Sequence, residues 1–263
     1  MSGCIGGRLQ AQREAAAHVA SKAGWQRSNL DAGPFELVSF APQGLQRTAV
    51  LTVYIEGDGL AWINGSTPSL DPTPLNPLAL RLALRDPSGA AVYLARPCQF
   101  VTGAQRRGCQ RKYWTSHRFA PEVIEASSSA IEQLKQRFAA ERLVLVGYSG
   151  GGAVAALIAA QRRDVMRLVT VAGNLDHRTW TADLQLSALD GSLNPADAWQ
   201  RLQSVPQIHF VGGQDGVMGE SVVESYRARF ATGPAPTVRV LPTFDHHCCW
   251  VERWPDLLGE AGL

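Results

Sequence analysis

Along the chain, short runs of branched apolar residues alternate with longer stretches in which apolar positions recur every three or four residues. The short runs at 35–40 (FELVSF), 49–57 (AVLTVYIEG), 91–97 (AVYLARP), 142–147 (RLVLVG), 167–173 (RLVTVAG), 207–213 (QIHFVGG) and 237–242 (TVRVLP) predict strands. Several are apolar throughout rather than alternating, the pattern of strands covered on both faces. Helices are predicted over 76–86, where Asn76 and Pro77 supply a cap and a first-turn proline, and over 121–140, where Val123, Ile124, Ile131, Leu134 and Phe138 recur at helical spacing. Two more follow at 151–163 and 221–230. Strand–helix alternation of this kind predicts an α/β fold, a mainly parallel sheet with helices on both faces. A longer polar stretch at 174–201 reads as a small insertion, a cap or a substrate loop. The chain shows no internal repeat, so 35–263 reads as one domain preceded by an N-terminal extension over 1–34.

Composition narrows the picture. The chain has 263 residues, 45% of them hydrophobic, enough for one sizeable core. Its net charge of +2 gives no electrostatic case for nucleic acid, and Arg106, Arg107, Arg111 and Lys112 read as a solvated loop. No apolar run approaches the ~20 residues that span a bilayer. Ser2-Gly3-Cys4 resembles the end of a bacterial lipobox, although the basic and apolar stretches of a complete signal do not precede it. Cys4 is therefore a candidate lipid anchor, which would put the chain on a membrane or in a periplasm; otherwise the cytoplasm is expected. Four cysteines then remain, and Cys98 and Cys109 bracket a polar loop that a disulfide would close in an oxidising compartment.

The chemistry concentrates at 143–160, LVLVGYSGGGAVAALIAA, where one serine stands between an apolar strand and an Ala-rich helix. The run lacks G-x-G-x-x-G spacing and a P-loop lysine, which excludes the common phosphate-binding turns. Gly147-Tyr148-Ser149-Gly150-Gly151 matches G-x-S-x-G, and glycines two places either side of the serine relieve a very tight strand-to-helix turn. In that setting the motif resembles the nucleophile turn of the α/β-hydrolase superfamily, the esterase- and lipase-like serine hydrolases, over the chain from about Phe35 to its end.

The resemblance implies a nucleophile, an acid and a histidine in that chain order, each after a strand. Ser149 is then the nucleophile. Asp215, in the glycine-flanked loop after 207–213, is the acid, with Asp176 as rival, and His246 after the last strand is the base, with His247 as alternative. The Gly150 N–H forms half of the oxyanion hole. The other half comes from the loop after the strand at 49–57, where Glu56 stands in the place of the family's histidine. The Asp58 N–H is the expected donor, with Gly59 as alternative, and the Asp58 carboxylate is expected to point away. Tyr148, Trp62, Asp176 and His177 are candidate substrate contacts, and Trp62, Tyr113, Trp114, His117 and Trp180 are candidate walls of an aromatic pocket, with core packing as the alternative. His246-His247-Cys248-Cys249 lacks the spacing of a metal site, so neither metal nor cofactor is expected. Cys248 and Cys249 either form a vicinal disulfide or pack near Trp250 and Trp254. The implied activity is hydrolysis of ester or related acyl bonds in a small-molecule substrate through an acyl-enzyme. Peptidase or thioesterase chemistry would use the same residues, and a non-catalytic binding or envelope protein could share the scaffold.

Overall fold

The computed structural model describes residues 14–263; Cys4 lies outside them. Among the described residues one sheet contains β1 (Trp25–Ala32), β2 (Phe35–Pro42), β3 (Val50–Ile55), β4 (Ala91–Leu94), β5 (Arg142–Tyr148), β6 (Val165–Val171), β7 (Gln207–Gly212) and β8 (Thr237–Leu241). Their order across the sheet is β1-β2-β4-β3-β5-β6-β7-β8. β1 and β2 form an antiparallel hairpin and β2 pairs antiparallel with β4. From β4 to β8 every neighbour is parallel, as the continuous apolar runs predict.

Among the described residues the helices include α1 (Leu78–Ala83), α2 (Pro121–Arg137), α3 (Gly150–Ala159), α4 (His177–Asp183), α5 (Glu220–Ala228) and α6 (Trp250–Glu260), with shorter turns between. The sheet divides the apolar interior in two. Leu143 and Leu145 of β5 pack into the core that holds α2 and α3, while Val144 and Val146 pack into the one that holds α1 and α6. Both faces of β5 are thus covered, which is why its sequence does not alternate. α3 is buried along its whole length, so it is apolar all round rather than amphipathic. Each large side chain taken from water into these cores is worth roughly 1.5–3 kcal/mol.

Two elements depart from the sequence expectation. Residues 25–32 are not part of an extension outside the domain: WQRSNLDA is the edge strand β1, in register with all of β2 from Trp25↔Pro42 to Ala32↔Phe35. Its mixed polar pattern suits an edge and gives no strand signal of its own. α6 is the other; it carries Pro255 inside and buries Trp250, Trp254, Leu257 and Leu258. The stretch at 174–201 forms α4 and short turns. Cys98 and Cys109 are joined in a disulfide that closes the loop beyond β4, and Cys248 and Cys249 are joined as a vicinal pair.

This is the α/β-hydrolase fold. Its parallel strands all end at one edge of the sheet, and the loops after β3, β5, β7 and β8 meet there.

Candidate active site

β5 runs to Tyr148 and α3 begins at Gly150, which leaves Ser149 alone to reverse the chain. Ser149 adopts φ +52°, ψ −123°, a region that non-glycine residues rarely occupy and that persists only where the surroundings enforce it. Its N–H is fixed by the Val171 carbonyl (3.0 Å), and its own carbonyl accepts from Gly152 (2.9 Å) and Asn174 (3.0 Å). The flanking glycines are required by contact. A Cβ at Gly147 would strike the Gly151 carbonyl, and one at Gly151 the carbonyls of Ile55 and Glu56.

Asp215 and His246 reach the serine from the next strands. The acid loop after β7 and the histidine loop after β8 are tied together by backbone bonds, Gly213 N–H to the Leu241 carbonyl (2.8 Å) and Gln214 N–H to the Phe244 carbonyl (2.9 Å). Asp215 Oδ1 accepts from the N–H groups of Val217 (2.8 Å) and Met218 (2.7 Å), which leaves Oδ2 for His246 Nδ1 at 2.8 Å. A carboxylate only accepts, so Nδ1 carries the ring proton and Nε2 accepts from the Ser149 hydroxyl at 3.1 Å. All three residues are buried.

His247 does not enter this line. It is exposed, and its Nδ1 lies 3.1 Å from the Tyr148 hydroxyl, which is also 3.1 Å from the His246 carbonyl. Burial and nearby carboxylates raise the Tyr148 pKa, so the phenol stays protonated. Asp245, beside His246, caps the next turn by accepting from the N–H groups of His247 and Cys248 (2.7 Å each).

Asp176 is not placed as an acid for His246. Its carboxylate caps α4 and accepts from Arg178, Asn194, Thr179 and Ser225, so both oxygens are engaged away from the serine. Neither Asp176 nor His177 lines the pocket above Ser149. The His177 ring is buried beside Phe119, and burial lowers its pKa. Both expected substrate contacts are turned inward at the start of α4 and do not reach this pocket.

The pocket itself has a volume of about 1060 Å³. Tyr148, Trp62 and Trp180 line it, with Ser149 and His246 in its wall, whereas Tyr113, Trp114 and His117 do not: Trp114 is buried in the core and Tyr113 packs edge-on against Phe35. Sequence reasoning missed most of its apolar lining, including Leu75, Leu186, Leu189 and Met218. Leucines in loops carry no periodic signal that would mark them.

The loop after β3 is held firmly. Glu56 Oε1 accepts from the Gly57 N–H (2.9 Å), and Gln99 Nε2 donates to the Gly57 carbonyl (2.9 Å). Gly59 has φ +65°, and a Cβ there would strike the Pro72 carbonyl. Burial raises the Glu56 pKa to about 7, against the opposing hydrogen bonds from Gly57 and Ala79. The Asp58 carboxylate does not point away. It lies against the Cα of Gly150 and is gripped by Arg96 (3.2 Å) and Arg118 (2.6 Å). Neither arginine was anticipated; the available signal for Arg96 was its position just past a strand's C-terminal end.

No family model matches the chain, nor does any curated protein by sequence. Solved structures do match. An esterase from Pyrococcus furiosus is similar at TM-score 0.60 and 14% identity, covering 91% of each chain. An alpha-beta serine hydrolase homologue from Coxiella burnetii gives 0.58 and 14%, over 89% of this chain and 94% of that one. A serine hydrolase without a lid from Xanthomonas campestris gives 0.52 and 14%, over 89% and 90%. These likenesses establish the fold.

Proposed function

We propose that the chain is a serine hydrolase that cleaves carboxylic esters with a bulky apolar acyl group. The observation that carries this reading is the unbroken line Ser149 Oγ–His246–Asp215, buried at the floor of an apolar pocket. A serine hydroxyl is a weak nucleophile until a base takes its proton. As Oγ bonds to the ester carbon, His246 Nε2 accepts that proton, and Asp215 steadies the imidazolium through Nδ1–H. The carbonyl oxygen becomes an oxyanion facing the N–H groups of Gly150 and Asp58. The first turn of α3 leaves its N–H groups without helical partners and adds the positive end of the helix dipole. His246 then returns the proton to the departing alkoxide, and the acyl group stays on Ser149. Water attacks the acyl carbon, losing a proton to His246, and the acid leaves as Ser149 regains its hydrogen.

The acyl preference rests on the lining. Trp62, Leu75, Leu186 and Val217 face the pocket yet are at least 40% exposed, an unusual gathering of wetted apolar surface around one opening. Each methylene buried there is worth about 0.8 kcal/mol, roughly fourfold in binding. Across p-nitrophenyl esters, kcat/KM is expected to rise at least tenfold from acetate to octanoate. A profile that falls from acetate contradicts the apolar assignment, and absence of turnover on every ester contradicts the hydrolase reading.

A further inference from the structure

An acidic residue is a poor neighbour for an oxyanion. In the reaction proposed above, the Asp58 and Gly150 N–H groups bind that oxyanion, yet the Asp58 carboxylate packs against Gly150. A methyl group on Gly150 would overlap the carboxylate, so the carboxylate sits directly against the second donor residue. Left alone, its charge would oppose the one that develops in the transition state.

We propose that Arg96 and Arg118 form a two-armed clamp on Asp58 that neutralises this carboxylate, leaves a net positive charge beneath the oxyanion and fixes the two donor residues relative to each other. The proposal rests on the serine-hydrolase reading. Each arm takes one oxygen: Arg96 Nη1 donates to Oδ1 (3.2 Å) and Arg118 Nη1 to Oδ2 (2.6 Å). The arms also hold each other, because Arg96 Nη2 donates to the Arg118 carbonyl. Arg118 Nε donates to the Thr115 carbonyl (2.8 Å). Both guanidinium groups lie over aromatic rings, Arg96 over Phe119 and Arg118 over Trp180, each 5.4 Å from the ring centre.

The charge count favours a device over an ordinary ion pair. The side chains of Arg96, Arg118 and Asp58 are 5%, 7% and 17% exposed, so two cations and one anion share a largely dry site. An uncompensated buried charge is costly unless something anionic answers it. Glu56 is the next carboxyl; burial raises its pKa to about 7, so around neutral pH it carries only part of a charge and offsets the surplus only in part. The oxyanion, formed beside the Asp58 and Gly150 N–H groups, answers the surplus only when the reaction reaches it. Interactions that strengthen in the transition state raise kcat rather than lower KM. The loop backbone agrees: Gly57 is bonded at both its N–H and its carbonyl, whereas the Asp58 N–H makes no hydrogen bond among the described residues. Arg96 and Arg118 are positioning residues in this scheme.

The test is a double-mutant cycle on purified full-length protein with one p-nitrophenyl ester. Arg118→Met keeps the stem over Trp180 and removes the charge; kcat is expected to fall about thirtyfold or more with KM within about threefold. Adding Asp58→Asn removes the charge that Arg118 offsets, so Asp58→Asn/Arg118→Met is expected to recover at least tenfold in kcat over Arg118→Met. Arg118→Lys should stay within about fivefold of wild type. Additive losses in the double variant, a loss confined to KM, or a Lys variant as poor as Met overturns the clamp, since a merely structural arginine would not be rescued by neutralising Asp58. If Arg118→Met does not fold, Arg118→Gln carries the same cycle and the same criteria. Wild type that neither turns over the ester nor reacts with a phosphonate at Ser149 fails the underlying reading; wild type active with an additive cycle fails the clamp alone.

Discussion

The loop after β8 turns His246 inward, to Asp215 on one side and Ser149 on the other, and leaves His247 exposed against the Tyr148 hydroxyl. Replacing His246 by Ala is expected to lower kcat by about 10³-fold or more, because proton transfer from Ser149 is lost, whereas His247→Ala should stay within about tenfold. Steady-state kinetics on one ester distinguishes the two. Glu56 allows a second test at this scale. Its pKa rises from 4.5 to about 7 on folding, so the folded state holds a proton that the unfolded chain has released across that interval. Its contribution is therefore complete below about pH 4.5 and declines as pH rises to about 7, by on the order of 3 kcal/mol. Glu56→Gln is expected to flatten this part of the stability profile, measured as the difference in unfolding free energy between wild type and variant from pH 4.5 to 8. The serine and its glycines were legible in the sequence because each has a steric reason. The choice between adjacent histidines was not, since one residue of register reverses a side chain. The acidity of Asp58 was visible too, but its two arginine partners lie 38 and 60 residues away and only the fold brings them in.

The central strands were readable because burial on both faces leaves an unbroken apolar run, and their turns carry glycine or proline. β1 was not, because an edge strand with one covered face reads much like a polar segment; its pairing with β2 supplies what its composition lacks. α6 was missed for a related reason: Pro255 breaks the helical pattern in sequence, while Trp250 and Trp254 anchor it in the core. The disulfide between Cys98 and Cys109 spans 11 residues and braces the loop that follows Arg96. Closing a loop of this length restricts the unfolded chain by about 3 kcal/mol in the chain-entropy model. The double variant Cys98→Ser/Cys109→Ser is expected to lose about that much, measured by denaturant unfolding beside wild type. A loss below about 1 kcal/mol would mean that the native loop needs no such brace.

At the scale of the molecule, a mainly parallel sheet sends the loops after β3, β5, β7 and β8 to one edge, and residues from position 56 to position 247 meet in one pocket. Fold class could be read from the chain because it follows from strand–helix alternation, while the order of the candidate residues came from the resemblance that the G-x-S-x-G turn carries. The pocket could not, because loops without periodicity build its walls. The central claim, that Ser149 is a base-activated nucleophile, is tested most directly by reaction with a fluorophosphonate followed by peptide mass spectrometry. One adduct on the peptide that contains Ser149 is expected in wild type, with none in Ser149→Ala and slow formation in His246→Ala. An unlabelled wild type, or equal labelling of Ser149→Ala, would contradict the account.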